Sequence, residues 1–230
     1  MANFVLVHGA WGGSAGYNAV TKLLRAQGHD VYSPSLTGLG DRSHLLHPSI
    51  DLSLHIKDIA TVIEYEKLGE FVLVGHSYGG MVVTGVSALY GARIRSLVYL
   101  DAFLPDDGQS LFDLQPKEGR DNFINQQRDT PGLVPPFFAQ GNAALARTVG
   151  PHPLLTLTEP VKLTGEEKKI KNRTYVLAAG QSPAPFQRFY DKIKAMNDPS
   201  WKLVTMPTGH AVQMEDPQGT AKLLIEELDR

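Results

Sequence analysis

Five consecutive residues, Gly75-His76-Ser77-Tyr78-Gly79, carry the clearest chemical signal in this 230-residue chain. Ahead of them, Phe71-Val72-Leu73-Val74 is a short apolar run of strand-forming residues; behind them, Met81, Val82, Val83, Val86 and Leu89 recur at helical spacing. Ser77 therefore sits where a strand turns sharply into a helix. Such a turn strains the backbone, its glycines permit close strand-to-helix approach, and the serine hydroxyl projects outward as a nucleophile.

A serine hydroxyl is a weak nucleophile on its own, so it needs a base within hydrogen-bond reach and an acid that fixes the tautomer of that base. Of the eight histidines, His210 is the best placed, because Gly209-His210 follows the run Leu203-Val204-Thr205-Met206 directly and leads into the final helix. If the strands are parallel, their C-terminal ends share one edge of the sheet, and Ser77 and His210 meet there. His76 neighbours the nucleophile but points away from it, which suits a structural role, and His29, His44, His47, His55 and His152 read as surface or packing residues. For the acid, the loop Gly180-Gln181-Ser182-Pro183-Ala184-Pro185 holds no carboxylate before Asp191, which falls inside a predicted helix. Val98-Tyr99-Leu100-Asp101 instead ends a strand on an aspartate, where an unpaired buried charge would cost several kcal/mol. Asp101 is the favoured acid, with Asp106, Asp107 and Asp191 as the other candidates. The oxyanion of an attacked carbonyl needs fixed donors; the backbone amides of Tyr78 and, in the His8-Gly9-Ala10-Trp11 turn, of Ala10 can supply them.

The elements that must position these groups follow from periodicity. Phe4–Val7 reads as a strand, Tyr17, Val20, Leu23 and Leu24 as one helical face, and His29–Ser33 as a second strand broken by Pro34. A helix begins at Asp51, a plausible N-cap, and stops at Leu68-Gly69 before the Phe71 strand. Further strands are expected at 94–100, 174–178 and 202–206, with helices at about 186–196 and 217–229. Alternating strands and helices imply an α/β architecture, a mostly parallel six-stranded sheet covered on both faces. The alternation fails only between Pro105 and Arg173, which holds eight of the fifteen prolines together with Leu133, Phe137, Phe138, Leu154, Leu155 and Leu157. That segment is expected to be a small, mostly helical cap, so that 1–104 and 173–230 form the core and 105–172 an insertion after the fourth strand.

Composition narrows the function classes. A net charge of −2 gives no electrostatic footprint for nucleic acid or an anionic membrane. The complete lack of cysteine excludes disulfides, thiolate metal sites and a cysteine nucleophile. The N-terminus lacks the pattern of a signal peptide and no apolar run nears the ~20 residues of a membrane span, so a soluble, cytosolic protein is expected. Oligomeric state is not legible.

Taken together, Phe4-Val5-Leu6-Val7-His8-Gly9-Ala10-Trp11, Leu36-Thr37-Gly38-Leu39-Gly40-Asp41-Arg42-Ser43-His44 and Gly75-His76-Ser77-Tyr78-Gly79-Gly80-Met81-Val82 resemble the α/β-hydrolase superfamily, and within it the bacterial esterases related to plant methyl esterases and hydroxynitrile lyases. The resemblance implies the α/β-hydrolase fold without its two leading strands, and a serine carboxylesterase without metal or organic cofactor. A small-molecule ester would lie under the cap against Phe103, Phe137, Phe138 and Leu155, with Trp11 walling the pocket or packing behind the loop. Two departures bear on this. The plant relatives carry the acid after the strand matching Thr174–Ala178, whereas related dehalogenases place it as in Tyr99-Leu100-Asp101-Ala102; Ser77 stands where a dehalogenase needs an aspartate. The lyases resemble a pattern with threonine at Gly9 and lysine at Ala211, so esterase is preferred to lyase, with a non-catalytic small-molecule receptor as the other alternative.

Overall fold

The computed structural model describes residues 1–182 and 184–230. In chain order the core runs β1 (Asn3–Val7), α1 (Asn18–Ala26), β2 (Asp30–Tyr32), α2 (Leu52–Tyr65), β3 (Phe71–His76), α3 (Gly79–Tyr90) and β4 (Ile94–Leu100). After an intervening segment it resumes with β7 (Arg173–Ala178), α7 (Gln187–Met196), β8 (Trp201–Met206), the single turn α8 (Val212–Glu215) and α9 (Pro217–Glu226). The six strands form one sheet in the order β2-β1-β3-β4-β7-β8, every pairing parallel.

Strands buried on both faces need no polar alternation, which is why these segments read as continuous apolar runs. Alternate side chains feed two cores. Phe4, Leu6, Val72, Val74, Val98, Leu100 and Val176 face α1 and α9, while Val5, Val7, Leu73, Leu97, Tyr99, Tyr175 and Leu177 face α2, α3 and α7. Asp51 caps α2 as expected, its Oδ1 accepting from Leu54 N–H at 2.8 Å. The chain leaves β1 toward β2 on one side and crosses back to β3 on the other, so the connections after β1 and β3 diverge at their C-terminal ends and leave a crevice there.

The segment between β4 and β7 is helical in short pieces joined by irregular chain. It carries α4 (Lys117–Asn125), the two-residue strand β5 (Leu133–Val134), the single turn α5 (Ala143–Ala146), a second two-residue strand β6 (His152–Pro153) and the single turn α6 (Leu155–Thr158). The prolines explain the shortness, since each lacks an N–H and biases its predecessor away from helix. What organises it is an antiparallel ribbon pairing Leu133 with Pro153 and Val134 with His152. No helix among the described residues is long and apolar enough to cross a membrane.

Candidate active site

Ser77 occupies the turn between β3 and α3 with φ of 55°, a left-handed conformation that a side chain tolerates only under constraint. The constraint is local packing of backbone on backbone. A Cβ on Gly75 would lie 2.7 Å from Gly79 O, and one on Gly79 would lie 2.6 Å from Val7 O, so neither position admits a side chain. The Ser77 carbonyl accepts from Gly80 N–H at 3.0 Å and from Phe103 N–H at 3.1 Å, which fixes the orientation of the Ser77–Tyr78 peptide.

Asp101 ends β4 in a second left-handed conformation, φ 43°, and its side chain is fully buried. Its amide donates to Val176 O at 2.7 Å, and its Oδ1 accepts from Ala178 N–H at 3.1 Å. Oδ2 remains for His210 Nδ1, at 2.7 Å, and His210 Nε2 lies 2.9 Å from Ser77 Oγ. Serine, histidine and aspartate thus form one hydrogen-bonded line across the ends of β3, β4 and β8. The other carboxylates lie elsewhere: Asp106 pairs with Lys192 at 2.7 Å, Asp107 accepts from Leu163 N–H, and Asp191 accepts from Gln187 on α7.

Two side chains whose contact with His210 sequence reasoning did not identify pack against it. His76 Nε2–H donates to His210 O at 2.8 Å, and the two rings lie 4.7 Å apart. Burial pushes the His76 pKa down to about 3, with the nearby His210 adding to the effect, so His76 stays neutral and holds the His210 loop. Phe186 also stacks on the His210 ring, 4.9 Å away and within 4° of parallel.

The turn after β1 is organised by histidines as well. His8 Nε2 accepts from Leu36 N–H at 3.0 Å, which leaves the proton on Nδ1 to be donated to Gly9 O at 2.8 Å. Burial lowers its pKa to about 4, keeping this tautomer pair neutral. In a trans peptide the C=O and N–H point in opposite directions, so anchoring Gly9 O aims Ala10 N–H away from His8. Ala10 and Tyr78 both line the cavity over Ser77, and neither of their amides has a protein acceptor among the described residues.

That cavity has a volume of about 210 Å³ and is walled by Trp11, Phe103, Phe123, Phe137, Phe186 and Leu157, with Ser77 and His210 at its floor. Gln115 adds an amide side chain to its lining. Of the residues expected against a substrate, Trp11, Phe103 and Phe137 line this cavity, whereas Phe138 and Leu155 are about half exposed and outside its lining. Phe138 packs edge-on against Trp11 at 5.3 Å, and in the single turn of α6 it is the buried Leu157, two residues on, that points inward. A larger cavity of about 440 Å³ lies beyond Trp11, lined by Ser14, Asp41 and Arg147 among others, but none of Ser77, His210 or Asp101 borders it.

The sequence matches the model of the alpha/beta hydrolase family over residues 4–223. The chain belongs to that family. Among its relatives is a "carbendazim hydrolyzing esterase" of Nocardioides sp. (strain SG-4G), 41% identical over 240 residues that cover 97% of this chain and 98% of that protein. An alpha-hydroxynitrile lyase of Arabidopsis thaliana is 32% identical, but over 105 residues that cover 45% of this chain and 41% of the lyase. Among solved structures, an extracellular α/β-hydrolase from a Paenibacillus species superposes with a TM-score of 0.84 at 24% identity, covering 99% of both chains, which establishes the shared fold. In this α/β hydrolase Ser77, the β1 turn and the final-strand loop all fall within the matched span.

Proposed function

We propose that this α/β hydrolase is a serine carboxylesterase acting on small to medium esters, with Ser77, His210 and Asp101 as its triad and residues 105–172 as the cap. The observation that carries this reading is the continuous line from Asp101 Oδ2 to His210 to Ser77 Oγ at 2.7 and 2.9 Å, opening into an apolar cavity. Ser77 Oγ attacks the ester carbonyl while His210 Nε2 takes its proton, and Asp101 stabilises the imidazolium through Nδ1–H. The carbonyl oxygen becomes an oxyanion held by the Ala10 and Tyr78 amides, donors whose individual loss typically costs about 10² to 10³ in rate. Collapse expels the alcohol, which receives the proton from His210. Water then attacks the acyl-enzyme with His210 as base, and the carboxylic acid leaves as Ser77 regains its proton.

The apolar, aromatic-rich walls favour a compact substrate with a flat hydrophobic portion. The Nocardioides relative makes carbendazim an appropriate substrate to assay alongside simple aryl esters. A lyase-type threonine at position 9 is sterically disfavoured here, because a Cβ on Gly9 would already stand 3.0 Å from both His76 Nδ1 and Ser77 Cβ. Steady-state hydrolysis of p-nitrophenyl acetate by the parent and by Ser77→Ala tests the proposal. Turnover that disappears in the variant is expected; turnover that survives it refutes the assignment.

A further inference from the structure

The residue after Ala10 is tied to the cap through all three of its polar groups. Trp11 N–H donates to His152 Nδ1 at 3.2 Å, Trp11 O accepts from Gly150 N–H at 2.9 Å, and the indole Nε1–H donates to Val134 O at 2.9 Å. Trp11 holds a left-handed φ of 62° in doing so, a conformation that needs such support. Since Nδ1 of His152 accepts, its proton sits on Nε2 and is donated to Thr156 Oγ1 at 2.8 Å, and the threonine hydroxyl donates onward to Pro153 O at 2.7 Å. His152 is fully buried, and its ring also packs edge-on against Tyr78 at 4.8 Å. One cap histidine therefore touches the residues that bear, or directly follow, both proposed oxyanion donors.

We infer that His152 is a positioning residue for the oxyanion hole: by accepting from Trp11 N–H it fixes the Ala10–Trp11 peptide, and so makes the Ala10 amide geometry depend on the seating of the β5–β6 ribbon. The inference rests on the esterase reading for its catalytic consequence. His8 holds the preceding peptide from the core side through Gly9 O, and His152 holds the following one from the cap side. Ala10 is clamped between them, and the rate of acyl transfer responds to both anchors.

The test uses the full chain in four forms. His152→Phe keeps the aromatic packing and removes the acceptor; His152→Asn can return an acceptor oxygen to the place of Nδ1. Thr156→Val, nearly isosteric, removes the partner that holds the His152 tautomer. For His152→Phe and Thr156→Val, kcat is expected to fall about tenfold or more with KM changed less than about twofold, a smaller loss than the roughly 10² to 10³ typical of removing an oxyanion donor outright, because the amide is misplaced rather than absent. Affinity for a trifluoromethyl ketone inhibitor should fall in the same proportion as kcat, and His152→Asn should recover most of both. A purely structural histidine would not produce that parallel loss. Amide hydrogen exchange over Gly9–Gly12 provides a readout independent of turnover: protection is lost in His152→Phe and retained in His152→Asn. Should His152→Phe fail to fold, Thr156→Val decides. Parent-like exchange and inhibitor affinity in either variant overturn the inference, whereas Ser77-independent turnover in the parent overturns only the esterase assignment and leaves the exchange result to judge the anchor.

Discussion

Acidification should markedly destabilise this protein at pH values where its carboxylates still titrate little. His8, His76 and His152 are buried at 2%, 8% and 0% exposure, and burial holds their pKa values at about 4, about 3 and well below the ordinary value. In the unfolded chain each returns to about 6.5. The folded form therefore binds fewer protons than the unfolded form below that value, and stability falls as pH falls. A histidine that stays neutral when folded costs little at pH 7 and about 2 kcal/mol at pH 5, so His8 and His76 together remove about 4 kcal/mol across that interval, with His152 acting in the same direction. His55, also lowered by burial, acts in the same direction. Against a typical total of about 5 to 15 kcal/mol, a loss of that size is about a quarter or more of the stability. Urea unfolding followed by circular dichroism at pH 7.5, 6 and 5 measures it, and the slope between pH 6 and 5 should correspond to uptake of two to three protons. A stability that is flat over that range, or an uptake below one proton, would refute the neutral-histidine account.

Other expected outcomes follow from the same geometry. Asp101→Asn should lower kcat by about 10⁴ by losing the acceptor that fixes the His210 tautomer, while Asp191→Asn, on exposed α7, should change it little; the reverse result in p-nitrophenyl acetate turnover would move the acid to α7. Gly79→Ala should destabilise by about 1 to 3 kcal/mol despite the better helix propensity of alanine, because its Cβ meets Val7 O at 2.6 Å; urea midpoints decide it. Glu227, fully buried at the far end of the sheet, accepts from Ser96 Oγ at 2.7 Å, Thr174 Oγ1 at 2.9 Å and Arg230 at 3.1 Å. Glu227→Ala should therefore cost about 3 kcal/mol or more by stranding those donors, with kcat unchanged at temperatures where the variant remains folded.

Those parts of the candidate site that follow from strand ends were legible in the sequence. Ser77, Asp101 and His210 each close or follow an apolar strand, and parallel pairing brings such ends together whatever the length of the intervening chain. Asp101 could be preferred to Asp191 because a carboxylate ending a buried strand needs a partner, while one on an amphipathic helix does not. The histidines that hold the loops were not legible. His152 finds its partner 141 residues away in Trp11, and His76 finds His210 134 residues away, so neither local pattern nor spacing carries the pairing. In the proposed cap the facing of side chains was not legible for a related reason: apolarity alone marks Phe138 and Leu155 as pocket residues, but in turns this short the facing is set by tertiary contacts with Trp11 and the ribbon rather than by a 3.6-residue period.

Trp11, Ser77 and Asp101 account for three of the five non-glycine residues with left-handed backbone among the described residues, and all three belong to the proposed site. Each such conformation costs about 1 to 3 kcal/mol, so the place where the chemistry would occur is also a reservoir of instability. A laboratory selection for heat resistance alone would thus find gains by relaxing these positions toward glycine and lose the esterase in the process. Selection for stability in this scaffold has to be paired with a turnover screen, or restricted to helix surfaces such as α1 and α9 that carry none of this strain.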